Sequence, residues 1–209
     1  MLHKTTSRLF YGKYQYKTVL VCSGAMYFKG QDADQVFQRL STLNLAENAK
    51  LRWGHRSSPI KSQAELDYTL QLLAIMQTMK DYDVRVESPW LTVYSNNRGD
   101  IYQLIDVDPE NVKYVSEPAT TLVENTVIMP KVNFEYKVTL GKTTQEYSAF
   151  VTWAETNKKL KLTKSCIRDL SKSNSWGGTY FYISGENNLL MAKMQLGGSI
   201  NKIERIVKA

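Results

Sequence analysis

Apolar and polar positions in the first 119 residues switch between a period of two and a period near 3.6. Tyr14 to Cys22 is rich in β-branched and aromatic residues and predicts a strand. Beyond Gly30, the positions Val36, Phe37, Leu40 and Leu43 recur at helical spacing. They predict one buried stripe on a helix with Asp32 as N-cap and Gln35 three residues on. Leu51-Arg52-Trp53 reads as a short strand. Ser62-Gln63-Ala64-Glu65 is a capping box that opens a second helix through about Lys80. Its apolar positions, from Leu66 to Met79, cover more than one face, so this helix should be the most buried of the region. Val84 to Glu87 and Trp90 to Ser95 alternate on either side of Ser88-Pro89, a hairpin with its proline confined to the turn. Gly99-Asp100 starts a short helix through Ile105, Asp108-Pro109 breaks it, and Val112 to Val115 forms a last strand.

The same order then returns. Tyr14-Gln15-Tyr16-Lys17-Thr18-Val19-Leu20 is echoed by Phe134-Glu135-Tyr136-Lys137-Val138-Thr139-Leu140, an offset of 120. Val93-Tyr94-Ser95 is echoed by Tyr182-Ile183-Ser184 at an offset of 89, so about 31 residues are missing from the later copy. In that copy a helix follows from about Thr144 to Asn157, then a short edge strand Leu160 to Leu162. Thr163 caps a helix holding Cys166, Ile167 and Leu170. A strand Thr179 to Ser184, a helix Asn187 to Leu196 stopped by Gly197-Gly198, and a strand Ile200 to Val207 complete it. Glu117 to Asn125 reads as a linker. The expectation is an α+β chain of two tandem ferredoxin-like (βαββαβ-type) domains arising from an internal duplication, residues 1–119 and 120–209, the first with an extra helix. Chance likeness of two β-rich heptads is the alternative.

Charge separates the halves. Residues 1–119 carry a net +1 and residues 120–209 a net +6, with 13 Lys and Arg against 7 Asp and Glu. Basic asymmetry points to a polyanionic partner, and it equally keeps a domain soluble. No apolar run approaches the roughly 18 residues that span a bilayer, and the N-terminus lacks a signal-peptide core. No membrane partner is expected. Cys22 and Cys166 lie in different halves and read as buried thiols of a reducing, cytoplasmic compartment rather than a disulfide.

Few chemistries have the residues they need. The only histidines are His3 and His55, and no metal-ligand spacing exists. Asp81/Asp83 and Asp106/Asp108 are D-x-D pairs, which hold Mg²⁺ rarely and form turns or caps commonly. Gly141-Lys142-Thr143 carries the end of a phosphate loop without its earlier glycine, and reads as a turn and N-cap. Neither a dinucleotide fingerprint nor a nucleophile elbow occurs. No metal and no cofactor are expected. One enzymatic reading stays open, a metal-independent ribonuclease with His55 as general base. The expected architecture resembles that of CRISPR-RNA-processing endonucleases, which are built from tandem ferredoxin-like domains and carry a glycine-rich loop near the C-terminus. Leu196-Gly197-Gly198-Ser199-Ile200 answers to that loop and serves equally as a helix stop.

The leading expectation is a non-enzymatic nucleic-acid-binding accessory protein for RNA or single strands. Lys158, Lys159, Lys161, Lys164, Arg168 and Lys172 cluster in the basic half and would neutralise phosphates. Lys161, Lys164, Arg168 and Lys172 would share a helical side if that helix starts early. On the next strand Tyr180 and Tyr182 point away from Phe181 and Ile183, where they would stack bases unless a helix covers them. Trp176, in a Ser/Asn/Gly loop, would stack as well. The other reading is a viral or phage structural or assembly protein, since thirteen tyrosines suit a protein interface too.

Overall fold

The computed structural model describes residues 2–30, 32–45 and 60–208. The expected strand at Leu51 to Trp53 and the candidate base His55 lie outside the described residues. The chain divides into two compact units, Met1–Leu122 and Val123–Ala209. Each holds a five-stranded sheet in a mixed α+β arrangement.

The first unit runs β1 (Leu2–Thr6), β2 (Tyr16–Val21), α1 (Ala33–Ser41), α2 (Gln63–Thr78), β3 (Tyr82–Glu87), β4 (Trp90–Ser95), α3 (Arg98–Val107) and β5 (Val112–Pro118). Its strand order is β1-β5-β2-β4-β3, antiparallel throughout except for the parallel edge pair β1–β5. The second runs β6 (Thr126–Ile128), β7 (Tyr136–Leu140), α4 (Ser148–Thr156), β8 (Leu160–Leu162), α5 (Lys164–Leu170), β9 (Tyr180–Ile183), α6 (Glu186–Leu196) and β10 (Ile200–Val207). Its order, β6-β10-β7-β9-β8, is that of the first sheet strand for strand, again with one parallel edge pair. Both sheets carry a bulge at the same place in the ladder. Val19 and Leu20 face Tyr114 and Val112, leaving Lys113 extra, and Thr139 and Leu140 face Lys202 and Ile200, leaving Asn201 extra. A single 3₁₀ turn, Pro109–Asn111 or Gly197–Ser199, precedes each bulged strand.

The local signals act where they stand. Asp32 accepts the Gln35 N–H at 2.8 Å, and Ser62 and Glu65 form the reciprocal capping box. Within α2, Leu72, Leu73 and Met76 are buried against Leu20, Leu91, Val93, Ile101 and Leu104, the first core. In the second unit Phe150, Cys166, Leu170 and Ala192 pack on Val138, Leu140, Phe181 and Ile183. The helices of each unit therefore feed the same core face of its sheet.

Several expectations need correction. The parallel edge strand β1 has no signal in the apolar pattern, because its side chains are almost all exposed, while the equivalent β6 is only three residues long although it buries Val127 and Ile128. β5 continues through Glu117 and Pro118, so the start of the expected linker belongs to the ladder. Phe37 is half exposed and leaves the α1 stripe to Val36 and Leu40. Among the described residues each unit has three α-helices, one more than a βαββαβ core holds, so a third helix is not peculiar to the first. What differs is placement, since α5 separates β8 from β9 where β3 and β4 form a tight hairpin. The later echo also shifts by one residue. Tyr16 faces Ser95 and Tyr136 faces Ile183, which makes Tyr182 the counterpart of Tyr94 rather than of Val93.

Candidate functional site

Strand alternation sets the helix-free face of the second sheet. Val138, Leu140, Phe181, Ile183 and Leu160 turn into the core, so Lys137, Thr139, Tyr180, Tyr182 and Lys161 turn the other way. Register then assembles them. Tyr182 stands opposite both Lys137 and Lys161, and Tyr180 stands opposite Thr139. The Lys137 ammonium lies 4.0 Å from the Tyr180 ring centroid. Tyr180 and Tyr182 meet edge to face at 5.5 Å, and Phe134 stacks on Tyr182 at 5.9 Å. On the neighbouring strand Lys202 and Glu204 face Thr139 and Lys137. Glu204 is almost fully buried, with Lys202 Nζ 3.1 Å from its carboxylate. The result is a helix-free surface of half-exposed rings interleaved with lysines.

Trp176 stands at the end of this sheet and is 92% exposed. Its loop is held firmly by backbone contacts. Ser175 and Thr143 exchange backbone hydrogen bonds at 2.9 and 3.1 Å, and the Gly178 N–H donates to Leu140 at 2.8 Å. Gly177 and Gly178 take positive φ of 78° and 84°. A Cβ on Gly177 would fall 2.2 Å from the Gly141 carbonyl oxygen, so only glycine permits this approach. The indole thus stands in solvent on a braced loop. Lys142 Nζ sits 5.6 Å from its ring centroid.

The row Lys161, Lys164, Arg168 and Lys172 does not share one helical side, because the helix does not start early. Leu160 and Leu162 pair with Ile183 and Phe181, which makes 160–162 an edge strand and sends Lys161 to the helix-free face. Thr163 Oγ1 accepts the Cys166 N–H at 3.2 Å and starts α5 only at Lys164. Lys164 and Arg168 thus belong to the helical layer, and Lys172 follows the helix. Lys158 and Lys159 are exposed on the turn into β8, where the Lys159 carbonyl accepts the Ser184 N–H. Sequence reading passed over Phe134, Lys137, Lys142 and Lys202. The first echo contains Phe134 and Lys137, but only register sets them beside Tyr182.

Other candidate chemistry takes structural roles. Thr143 is pinned to Ser175 in an antiparallel bridge, so Gly141-Lys142-Thr143 continues beyond β7 rather than forming an N-cap, and α4 begins only at Ser148. Gly197 ends α6, its N–H donating to the Lys193 carbonyl. Asp81 pairs with Lys13 at 2.6 Å, which holds its carboxyl below the ordinary carboxylate range. Asp108 caps the 3₁₀ turn by accepting the Glu110 N–H. Among the described residues no group of three or more His, Cys, Asp or Glu is placed to hold a metal ion. Both cysteines are free and buried. Burial pushes the Cys22 thiol up to about 11 and the Cys166 thiol up to about 12, so neither is an activated nucleophile. No described helix is long and apolar enough to cross a membrane.

No protein-family model, no curated protein and no solved structure matches the chain.

Proposed function

We propose that this chain is a non-enzymatic nucleic-acid-binding accessory protein whose second unit holds single-stranded RNA or DNA. We also infer that the two units are ferredoxin-like domains derived by internal duplication. The shared strand order and the shared bulge support the second inference. The observation that carries the first is the helix-free face on which Tyr180 and Tyr182 lie among Lys137, Lys161 and Lys202. Splayed bases stack on such rings irrespective of sequence, and lysines between them neutralise phosphates. Lys161, with Lys158 and Lys159 at the same edge, contacts the backbone directly. Lys164, Arg168 and Lys172 add mainly to the general positive field. Trp176 extends the stacking surface beyond the strand ends.

The test is binding of a labelled oligouridylate at two salt concentrations. Affinity should fall as salt rises, with a log–log slope near 0.7 per phosphate neutralised, roughly. Lys158→Glu with Lys161→Glu should weaken binding and flatten that slope. Absence of binding at low salt, or affinity unchanged by the double reversal, rules the function out. An assembly role has one observation in its favour. Leu190, Met191 and Met194 are all exposed on α6, an apolar strip suited to a protein contact. Self-association or protein capture with no salt-dependent oligonucleotide binding would favour it.

A further inference from the structure

The helix-free face of the first sheet also carries rings and cations, and no chemistry has so far been assigned to it. Leu91 and Val93 turn into the core, so Trp90, Thr92 and Tyr94 turn outward. Tyr94 is covered there by Phe10, Tyr11 and Tyr14, with ring centroids 5.0 to 6.3 Å away. The counterpart of Tyr182 is therefore closed to a ligand. Trp90, 38% exposed at the start of β4, is not. It borders a cleft of about 170 Å³ shared with Lys17, Arg85, Lys113 and Tyr114. Most small-molecule pockets are larger, so this cleft suits one flat ring.

The cations reach this cleft for an identifiable reason. Lys113 is the extra residue of the β5 bulge, and a bulge re-aims the side chain it inserts. Lys113 Nζ lies 3.3 Å from the Trp90 ring centroid, and Lys17 Nζ lies 5.1 Å from that of Tyr114. Lys4 covers the Tyr114 ring at 3.8 Å. Arg85 is tied to Glu87, the one acid among the described residues that line the cleft. Lys113 is itself exposed, so it can swing from the ring to a phosphate while the ring accepts a base. A planar, anionic ligand satisfies both groups at once.

We propose that this cleft is a second single-strand site, where one nucleobase stacks on Trp90 and its phosphates meet Lys113 and Lys17. This rests on reading the second unit as a single-strand platform, and it assigns the first unit a contact of its own. The experiment titrates the full chain with a labelled oligouridylate at low salt, following anisotropy and tryptophan quenching. Trp90→Ala should weaken binding about 5- to 100-fold, the range for loss of one stacked base, while Trp90→Phe keeps most of the affinity. Lys113→Glu, an exposed change that leaves folding alone, should weaken binding and lower its salt dependence. Wild-type affinity in both Trp90→Ala and Lys113→Glu overturns this site and leaves the second-unit platform standing. Equal losses in Trp90→Ala and Trp90→Phe also overturn it, because stacking would not be the cause. No binding by the unmodified chain at low salt overturns both readings together.

Discussion

At the scale of single residues, Gly177 is the most constrained position beside the candidate site. Its backbone is left-handed, and a methyl group would collide with the Gly141 carbonyl rather than with a movable side chain. Gly177→Ala should therefore cost about 1–3 kcal/mol in urea unfolding and shift the emission of Trp176 as its turn reopens. The cysteines give a second prediction. Burial raises both thiols above the ordinary value of 9.0, to about 11 and about 12. The folded state holds them protonated where the unfolded chain would ionise them. Their contribution is complete below about pH 9 and is lost as pH rises through 11 to 12. The denaturation midpoint should fall across that window, and it should fall less in Cys22→Ala/Cys166→Ala than in the parent. Alternation alone showed that Tyr180 and Tyr182 point away from Phe181. That Lys137 meets them was not legible, because register is a contact between residues 41 to 47 positions apart in the chain.

At the scale of elements, caps were the most readable signals and also the ones that decide ambiguous stretches. Ser62 and Glu65 start α2 where the pattern places it. Ser62→Ala removes one half of the box and should destabilise the first unit by about 1 kcal/mol, measured as a lower chemical-denaturation midpoint with unchanged slope. Thr163 caps α5 and Leu160–Leu162 is an edge strand, both as the pattern predicts. The cap starts α5 after Lys161, so Lys161 joins a strand and leaves the lysine row that helical spacing suggested. Phe37 failed for a related reason. It fits the helical period, yet α1 buries only a narrow stripe, and a fourth apolar position at its edge faces water. Periodicity reports which side is apolar but not how wide the covering surface is.

At the scale of the whole chain, the two units have separate cores. Phe150, Phe181 and Leu170 of the second are buried among residues of the same unit. A fragment of residues 123–209 should fold by itself, giving dispersed amide resonances and a cooperative melt. An unfolded fragment would show that its core needs the rest of the chain. Phe181→Ala in the full chain should destabilise that unit by about 3–5 kcal/mol, read from the resonances of its buried residues. EDTA or ATP should leave the melting temperature unmoved, and a shift of several degrees with either would reveal an overlooked site.

The sequence by itself determined the local order of this protein. Apolar periods, capping residues and turn glycines specify most strands and helices, because those preferences act over a few residues. It also determined which strand positions turn outward, since alternation follows from the pleat. Tertiary structure alone decided the rest. The parallel edge strands β1 and β6 form by pairing with β5 and β10, and the exposed side chains of β1 say little about it. The common bulge, the Lys137–Tyr182 register and the covering of Tyr94 by Phe10, Tyr11 and Tyr14 are likewise relations between distant segments. Whether an outward aromatic becomes a platform or a buried ring depends on what the fold lays over it, and composition or period does not encode that.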